Sequence, residues 1–333
     1  MPSIWSQLAL FTAKSIILFI LIVTLLIAFF AILSKSKGGN KKGRLKIKHL
    51  NETYENDAEL ILSGIKTKKE FKQYLKEKKA LHKKKQDEKR KNIYVVDFQG
   101  DIKASGVDVL ADTVTAVLNV ATKDDEVVVR LENAGGYVHT HGLASAQLMR
   151  IRAQNIPLTI AIDKVAASGG YLMACVGNKI LSAPFAIIGS IGVVIQLPNF
   201  HRVLKDKHVD MVQLTAGKYK RTVTMFGENT EEGKEKLKQE INEVHDLFKQ
   251  TIHKNRPQVD IDKVATGEHW LGQLALELQL VDEIKTSDEY LLAQKNTANL
   301  YEIGYETKKS LLNKLVAGSA EWREKIFGST FLK

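Results

Sequence analysis

Residues 158–177, "LTIAIDKVAASGGYLMACVG", run from an apolar, partly β-branched stretch through a small hydroxyl and two glycines into a second apolar stretch. The first part, 158–166, reads as a strand covered on both faces. Gly169-Gly170 marks a turn, and "GGYLMACVG" opens a helix from it. Strand, tight turn and helix in that order make half of a βαβ unit. Similar apolar runs recur as "IYVVDF" (93–98), "EVVVRLEN" (126–133), "KILSAP" (179–184) and "IGVVIQL" (191–197), separated by helical spacings at 106–122 and 140–154. This alternation predicts an α/β fold with a largely parallel sheet. Farther on, 229–257 is a long amphipathic helix that Asn229 or Thr230 can cap and that stops at Pro257.

Outside this region the composition changes. From Ser15 to Leu33, 19 residues run without a charge, enough to cross the hydrocarbon layer as a helix. The apolar run exceeds that of an ordinary cleaved signal, so a retained anchor is expected. The flank after it carries seven Lys or Arg, against Lys14 alone before it, which predicts a cytoplasmic location for the rest of the chain. Between Ser63 and Asn92 there are 13 Lys or Arg and four acids, in a stretch without proline that is rich in helix formers. It reads as a solvated helix and linker, with anionic lipid headgroups as the alternative. No aromatic interleaving accompanies the charge, so no nucleic-acid partner is expected. The expected organisation is an N-terminal segment with the membrane helix (1–34), a Lys-rich helical membrane-proximal region (35–92), a catalytic domain (93–290) and a C-terminal extension (291–333). Cys175 is the single cysteine among 333 residues, which excludes an internal disulfide.

Three glycine turns follow strands: Ala134-Gly135-Gly136, Ser168-Gly169-Gly170 and Gly189-Ser190-Ile191-Gly192. In open α/β sheets ligands collect beyond the carboxyl ends of strands. Two such turns brought together can aim backbone N–H groups at one carbonyl oxygen, as an oxyanion hole requires. Ser168 is either a helix N-cap or a nucleophile, and the second role needs a base. The Gly-x-Ser-x-Gly elbow of α/β hydrolases is absent, since Ala166 occupies its first position. His139 and His141 alternate on what reads as a strand and with Glu132 could hold a metal, but lack a further ligand at diagnostic spacing, so no metal is expected. His201, His245 and His269 have no spacing that ties them to Ser168. Lys218 and Lys220 in "LTAGKYKRTVT" remain as bases, and charge does not choose between them; either must be neutral to act.

The segments "VAASGGYLMACVGNKILSAPFAIIGSIGVV", "TAGKYKRTVTMFGENTEEG" and "ATGEHWLGQLALEL" resemble peptidase family S49, the signal peptide peptidase A group, and within it the short membrane-anchored SohB branch. The resemblance runs from about Ile93 to about Tyr290. It implies a ClpP/crotonase-like fold and a serine-lysine dyad: Ser168 as nucleophile, Lys220 as general base, and oxyanion donors from Gly169 and the pair Gly135-Gly136. Ser190 falls in a further motif of the family, where it is a candidate hydrogen-bond partner of the lysine. Where the family usually has Ser-Pro-Gly-Gly, this chain has Asn133-Ala134-Gly135-Gly136, which loses a fixed φ but keeps both glycines. Gln279 stands where the family commonly has glycine.

The implied function is a serine endopeptidase of the bacterial inner membrane, anchored by one helix and acting on hydrophobic peptides or membrane-associated polypeptides. It requires no cofactor and forms a homo-oligomer. The lysines after the helix point to a cytoplasmic catalytic domain, while better-known family members work on the outer side. Two alternatives are a non-catalytic scaffold of the same fold and an acyl-CoA enzyme of the crotonase kind.

Overall fold

The computed structural model describes residues 4–36, 43–85 and 90–306. The chain divides into a unit formed by Met1–Leu45 with Tyr305–Lys333, and a larger unit, Lys46–Gly304. The first holds helix α1 (Ile4–Ser36), 33 residues long. It is the one helix among the described residues long and apolar enough to cross a membrane. Residues 307–333 of the expected C-terminal extension, and 37–42 of the basic flank, lie outside the described residues.

In chain order the other elements begin with strand β1 (Arg44–His49) and helices α2 (Leu50–Ile65) and α3 (Lys68–Lys85), α3 being most of the Lys-rich stretch. Strand β2 (Lys91–Gly100), α4 (Val107–Leu118), β3 (Glu126–Asn133), α5 (Val138–Ala153) and β4 (Leu158–Ile162) form two successive βαβ units. Then come β5 (Val165–Ala167), α6 (Gly169–Ala174), β6 (Lys179–Ser182), β7 (Ile187–Gly189), α7 (His201–Asp206) and α8 (Glu231–Asn255). The chain continues through α9 (Ile261–Val264), β8 (His269–Leu271), α10 (Gly272–Glu277), β9 (Glu283–Ile284), α11 (Ser287–Gln294) and β10 (Ala298–Glu306).

The sheet has the order β1-β10-β2-β3-β4-β6-β9, with β5 pairing both β3 and β7, and β7 pairing β8. From β10 to β9 every pair on the path is parallel, whereas β7–β8 is antiparallel. The α/β class expected from the alternation is therefore the one found. The β-branched runs sit at its centre: Val95, Val127, Val128, Val129 and Ile160 are fully buried. One face packs on α4, α5 and α6 through Val114, Leu148 and Met173, the other on Leu50, Tyr290 and Leu291. A polar network is buried at the second face. Glu126 accepts from Thr159 Oγ1 at 2.8 Å and from Tyr290 OH at 2.6 Å, and pairs with Lys91 at 2.9 Å.

Three expectations need correction. The run 158–166 is two strands broken at Asp163-Lys164, because β4 pairs β6 whereas β5 turns away to pair β7. The run 191–197 is not a strand. The strand is β7, just before it, and Gly189 (φ 107°) and Ser190 (φ 50°) then turn the chain off the sheet. Val194 and Ile195 are left exposed, at 77% and 52%. His139 and His141 do not alternate on a strand but lie on α5. The helix read over 229–257 is α8, with Thr230 Oγ1 accepting from Gly233 N–H at the cap.

Candidate active site

Ser168 joins β5 to α6 with φ 51° and ψ −120°. A non-glycine residue at positive φ stores of order 1–3 kcal/mol and persists only when its surroundings hold it there. The restraints are visible. Ser168 N–H donates to Gly189 O at 2.7 Å, and its carbonyl accepts from Leu172 N–H at 3.0 Å. Helix α6 is pinned from below by fully buried Tyr171, whose hydroxyl donates to Leu280 O at 2.8 Å, and by Ser145 Oγ donating to Leu172 O at 2.9 Å. Burial holds the Tyr171 phenol far above its usual range, so it stays a neutral donor. An N-cap serine has extended backbone and lends its oxygen to the first turn. Ser168 does neither, and its half-buried hydroxyl has no hydrogen-bond partner among the described residues.

The sheet register brings the glycine turns together. Asn133 is opposite Ala166, and Ala167 is opposite Gly189. The first turn meets the serine closely: a Cβ on Gly135 (φ 89°) would lie 2.7 Å from Ser168 Cβ and 2.8 Å from Gly169 N. Gly169 is the first residue of α6, so its N–H has no acceptor within the helix. Gly136 N–H also lacks an acceptor among the described residues. Gly135 N–H is taken, donating to Asn133 Oδ1 at 2.8 Å. Each of the two turns that meet at Ser168 thus carries an N–H without an acceptor among the described residues, and the serine hydroxyl is itself unengaged.

The other named residues are distributed differently. Ser190 adjoins Gly189, and its N–H donates to Glu268 O at 2.6 Å. Lys220 is in an exposed turn, N–H to Gly217 O at 3.1 Å, and its ammonium is not hydrogen-bonded to Ser168. Lys218 is ion-paired with Glu232 at 2.7 Å and lies over the Tyr219 ring. The hydrogen bond that Lys218 donates to Glu232 holds its ammonium well above the usual lysine range. His141 is fully buried, with Nδ1 2.9 Å from Tyr137 O and Nε2 3.2 Å from Asn133 Oδ1. Glu132 is ion-paired with Lys164 at 3.0 Å. His201 opens α7, His245 is on α8, and His269 on β8 is opposite Gly189. Asn133 and His141 were not singled out together by sequence reasoning. Their one visible signal was asparagine in a turn where the related motif has serine.

Comparison with known proteins places the chain in a family. The profile of peptidase family S49 matches residues 150–301, and that of the peptidase family S49 N-terminal region matches residues 3–148. The chain is 48% identical over 312 residues to a probable protease SohB of Haemophilus influenzae, covering 90% of this chain and 88% of that protein. It is 44% identical to a probable protease SohB of Buchnera aphidicola subsp. Schlechtendalia chinensis, covering 86% and 98%. A solved structure of the 1510-N membrane-bound stomatin-specific protease with a substrate peptide aligns at TM-score 0.43 and 13% identity, covering 70% of this chain and 99% of that one. With both family profiles matched along its length and relatives alike over nearly their whole extent, the chain belongs to peptidase family S49.

Proposed function

We propose that the protein is a membrane-anchored serine endopeptidase in which Ser168 is the nucleophile and Lys220 the general base. The observation that carries this reading is the strained Ser168 backbone with its unengaged hydroxyl, where two turns bearing unpaired N–H groups meet. In the proposed reaction, neutral Lys220 takes the Ser168 proton as Oγ attacks a peptide carbonyl carbon. Gly136 and Gly169 N–H groups hold the resulting oxyanion. The carbon–nitrogen bond breaks as Lys220 returns the proton to the departing amine, and water then releases the acyl group by the same steps. No cofactor enters these steps. Lys218 is turned to Glu232, with which it is ion-paired, and is the less suited of the two to the base role.

The reading requires the segment 190–230, in which residues 212–221 are exposed, to close over the site and bring Lys220 to Ser168. That segment carries Val194, Val212 and Leu214 exposed at 77%, 75% and 91%. Apolar surface of this kind is ordinarily covered, by apolar substrate or by a second copy of the chain. This supports hydrophobic peptides as substrates and a homo-oligomer as the working state. Ser190, next to Gly189, is suited to hydrogen-bond Lys220 after closure. Helix α1 supports single-pass anchoring, which we assign to the bacterial inner membrane. The basic residues that follow it favour a cytoplasmic catalytic side, and protease protection in intact against opened spheroplasts distinguishes the two sides.

The test is hydrolysis of a fluorogenic apolar peptide by the full chain in detergent. Ser168→Ala and Lys220→Ala should each lose about 10⁴-fold or more in kcat/KM, and Lys218→Ala less than about threefold. Cleavage at the wild-type rate by Ser168→Ala or Lys220→Ala refutes the dyad. The exposed position of Lys220 is the one observation that favours a non-catalytic scaffold. Fluorophosphonate labelling at Ser168 counts against that alternative.

A further inference from the structure

Asn133 ends β3 with only 1% of its surface exposed, a costly location for an amide unless its polar atoms are engaged. Oδ1 accepts from Gly135 N–H at 2.8 Å and faces His141 Nε2 at 3.2 Å, while Nδ2 points to Met173 Sδ at 3.4 Å. A backbone N–H only donates, so the bond to Gly135 determines which end of the amide is oxygen. The other ring nitrogen of His141 lies 2.9 Å from the Tyr137 carbonyl, and the single N–H of a neutral imidazole serves one of these two oxygens while the ring's packing holds the other contact. Its ring lies directly against the second turn: a Cβ on Gly169 would be 2.5 Å from His141 Cγ. One buried pair of side chains therefore touches both turns that bear the free N–H groups.

We propose that Asn133 and His141 are positioning residues that lock the Gly135-Gly136 turn to the Gly169 turn. They replace the restraint that proline supplies in the related Ser-Pro-Gly-Gly sequence. Ala134 leaves φ unrestrained, and Asn133 closes the same turn through a side-chain bond to the N–H two residues on. His141 then braces the amide against α6. Neither side chain touches the reacting atoms; each acts through Gly135 or Gly169. The inference rests on Ser168 being the nucleophile and deepens that reading by assigning what fixes its oxyanion donors.

The test uses the full chain in detergent with four variants: Asn133→Ala, Asn133→Ser, His141→Phe, and Asn133→Ser combined with Ala134→Pro. Four quantities are read: kcat, KM, the inhibition constant of a peptide aldehyde whose hemiacetal oxygen occupies the donor site, and deuterium uptake over residues 133–141. Loss of the lock should lower kcat about 10- to 100-fold with KM within about twofold. Aldehyde affinity should fall by the same factor as kcat/KM, and uptake at the turn should rise. The serine–proline combination should recover most of kcat, which a general packing defect would not allow. Unchanged kcat and aldehyde affinity in Asn133→Ala overturn the proposal. So does an equal weakening of substrate and aldehyde with kcat intact. Should Asn133→Ala fail to fold, Asn133→Ser alone is judged by the same criteria. If wild-type hydrolysis survives Ser168→Ala, the nucleophile assignment fails instead, and uptake at the turn alone then decides whether the lock exists.

Discussion

Gly135→Ala tests the active-site geometry most directly. A Cβ there would sit 2.7 Å from both Ala167 O and Ser168 Cβ and 2.8 Å from Gly169 N. Ordinary carbon contacts begin near about 3.5 Å, so the two turns must separate by roughly 0.8 Å. The φ of 89° is itself unfavourable to alanine, adding about 1–2 kcal/mol. Misplacing reacting groups by about 1 Å costs on the order of 100-fold in rate, and kcat for peptide hydrolysis should fall accordingly. KM should change little, because the separation acts on the reacting groups. The assay is steady-state hydrolysis of a fluorogenic peptide, with thermal unfolding measured on the same sample and Ser168→Ala as the baseline. A folded Gly135→Ala enzyme within about threefold of wild-type kcat would refute the claim that this close approach sets the reacting geometry.

Two further outcomes concern stability. Arg256, 3% exposed, makes two bonds to Asp282 at 2.7 and 2.8 Å and ties the end of α8 to the loop before β9. Arg256→Ala should destabilise the larger unit by about 3 kcal/mol, seen as a lower denaturant midpoint; an unchanged midpoint would contradict a structural role for the pair. The Cys175 thiol is pushed up to about 12 by burial, so in the native protein it should resist iodoacetamide at pH 8 and react only on unfolding. Because the unfolded chain loses this proton first, near its ordinary pKa of 9.0, stability should fall as pH rises from there toward 12. Rapid native-state alkylation at pH 8 would show that the site is open.

The α/β class was legible because Val95, Val128 and Ile160 lie in strands covered on both faces, and such strands read as unbroken apolar runs. The same signal misled at 191–197. Val193, Val194 and Ile195 resemble a strand, yet no neighbour is available to pair with them once Gly189 and Ser190 have turned the chain. Alternation of His139 and His141 over three residues cannot separate a strand from the start of a helix, and α5 begins at Val138. Strand β10 escaped notice, although it is paired on both sides, between β1 and β2. Gln279, where a glycine was expected by resemblance, has φ 59°, so the preference for glycine there has a backbone reason. At the site, sequence spacing left Ser168 as either cap or nucleophile. Only the backbone angles and the unengaged hydroxyl rule out the cap, and these depend on the β5–β7 pairing rather than on any local pattern.

The positive φ of Ser168 also bears on how such a protein changes over evolutionary time. Glycine would occupy that turn without strain, so replacing the serine should relieve rather than harm the fold. A lineage relieved of selection for hydrolysis would therefore drift readily toward a sturdier, silent relative with the same architecture. Under the proposed chemistry, a serine at this strained point of the backbone is a trade of stability for activity.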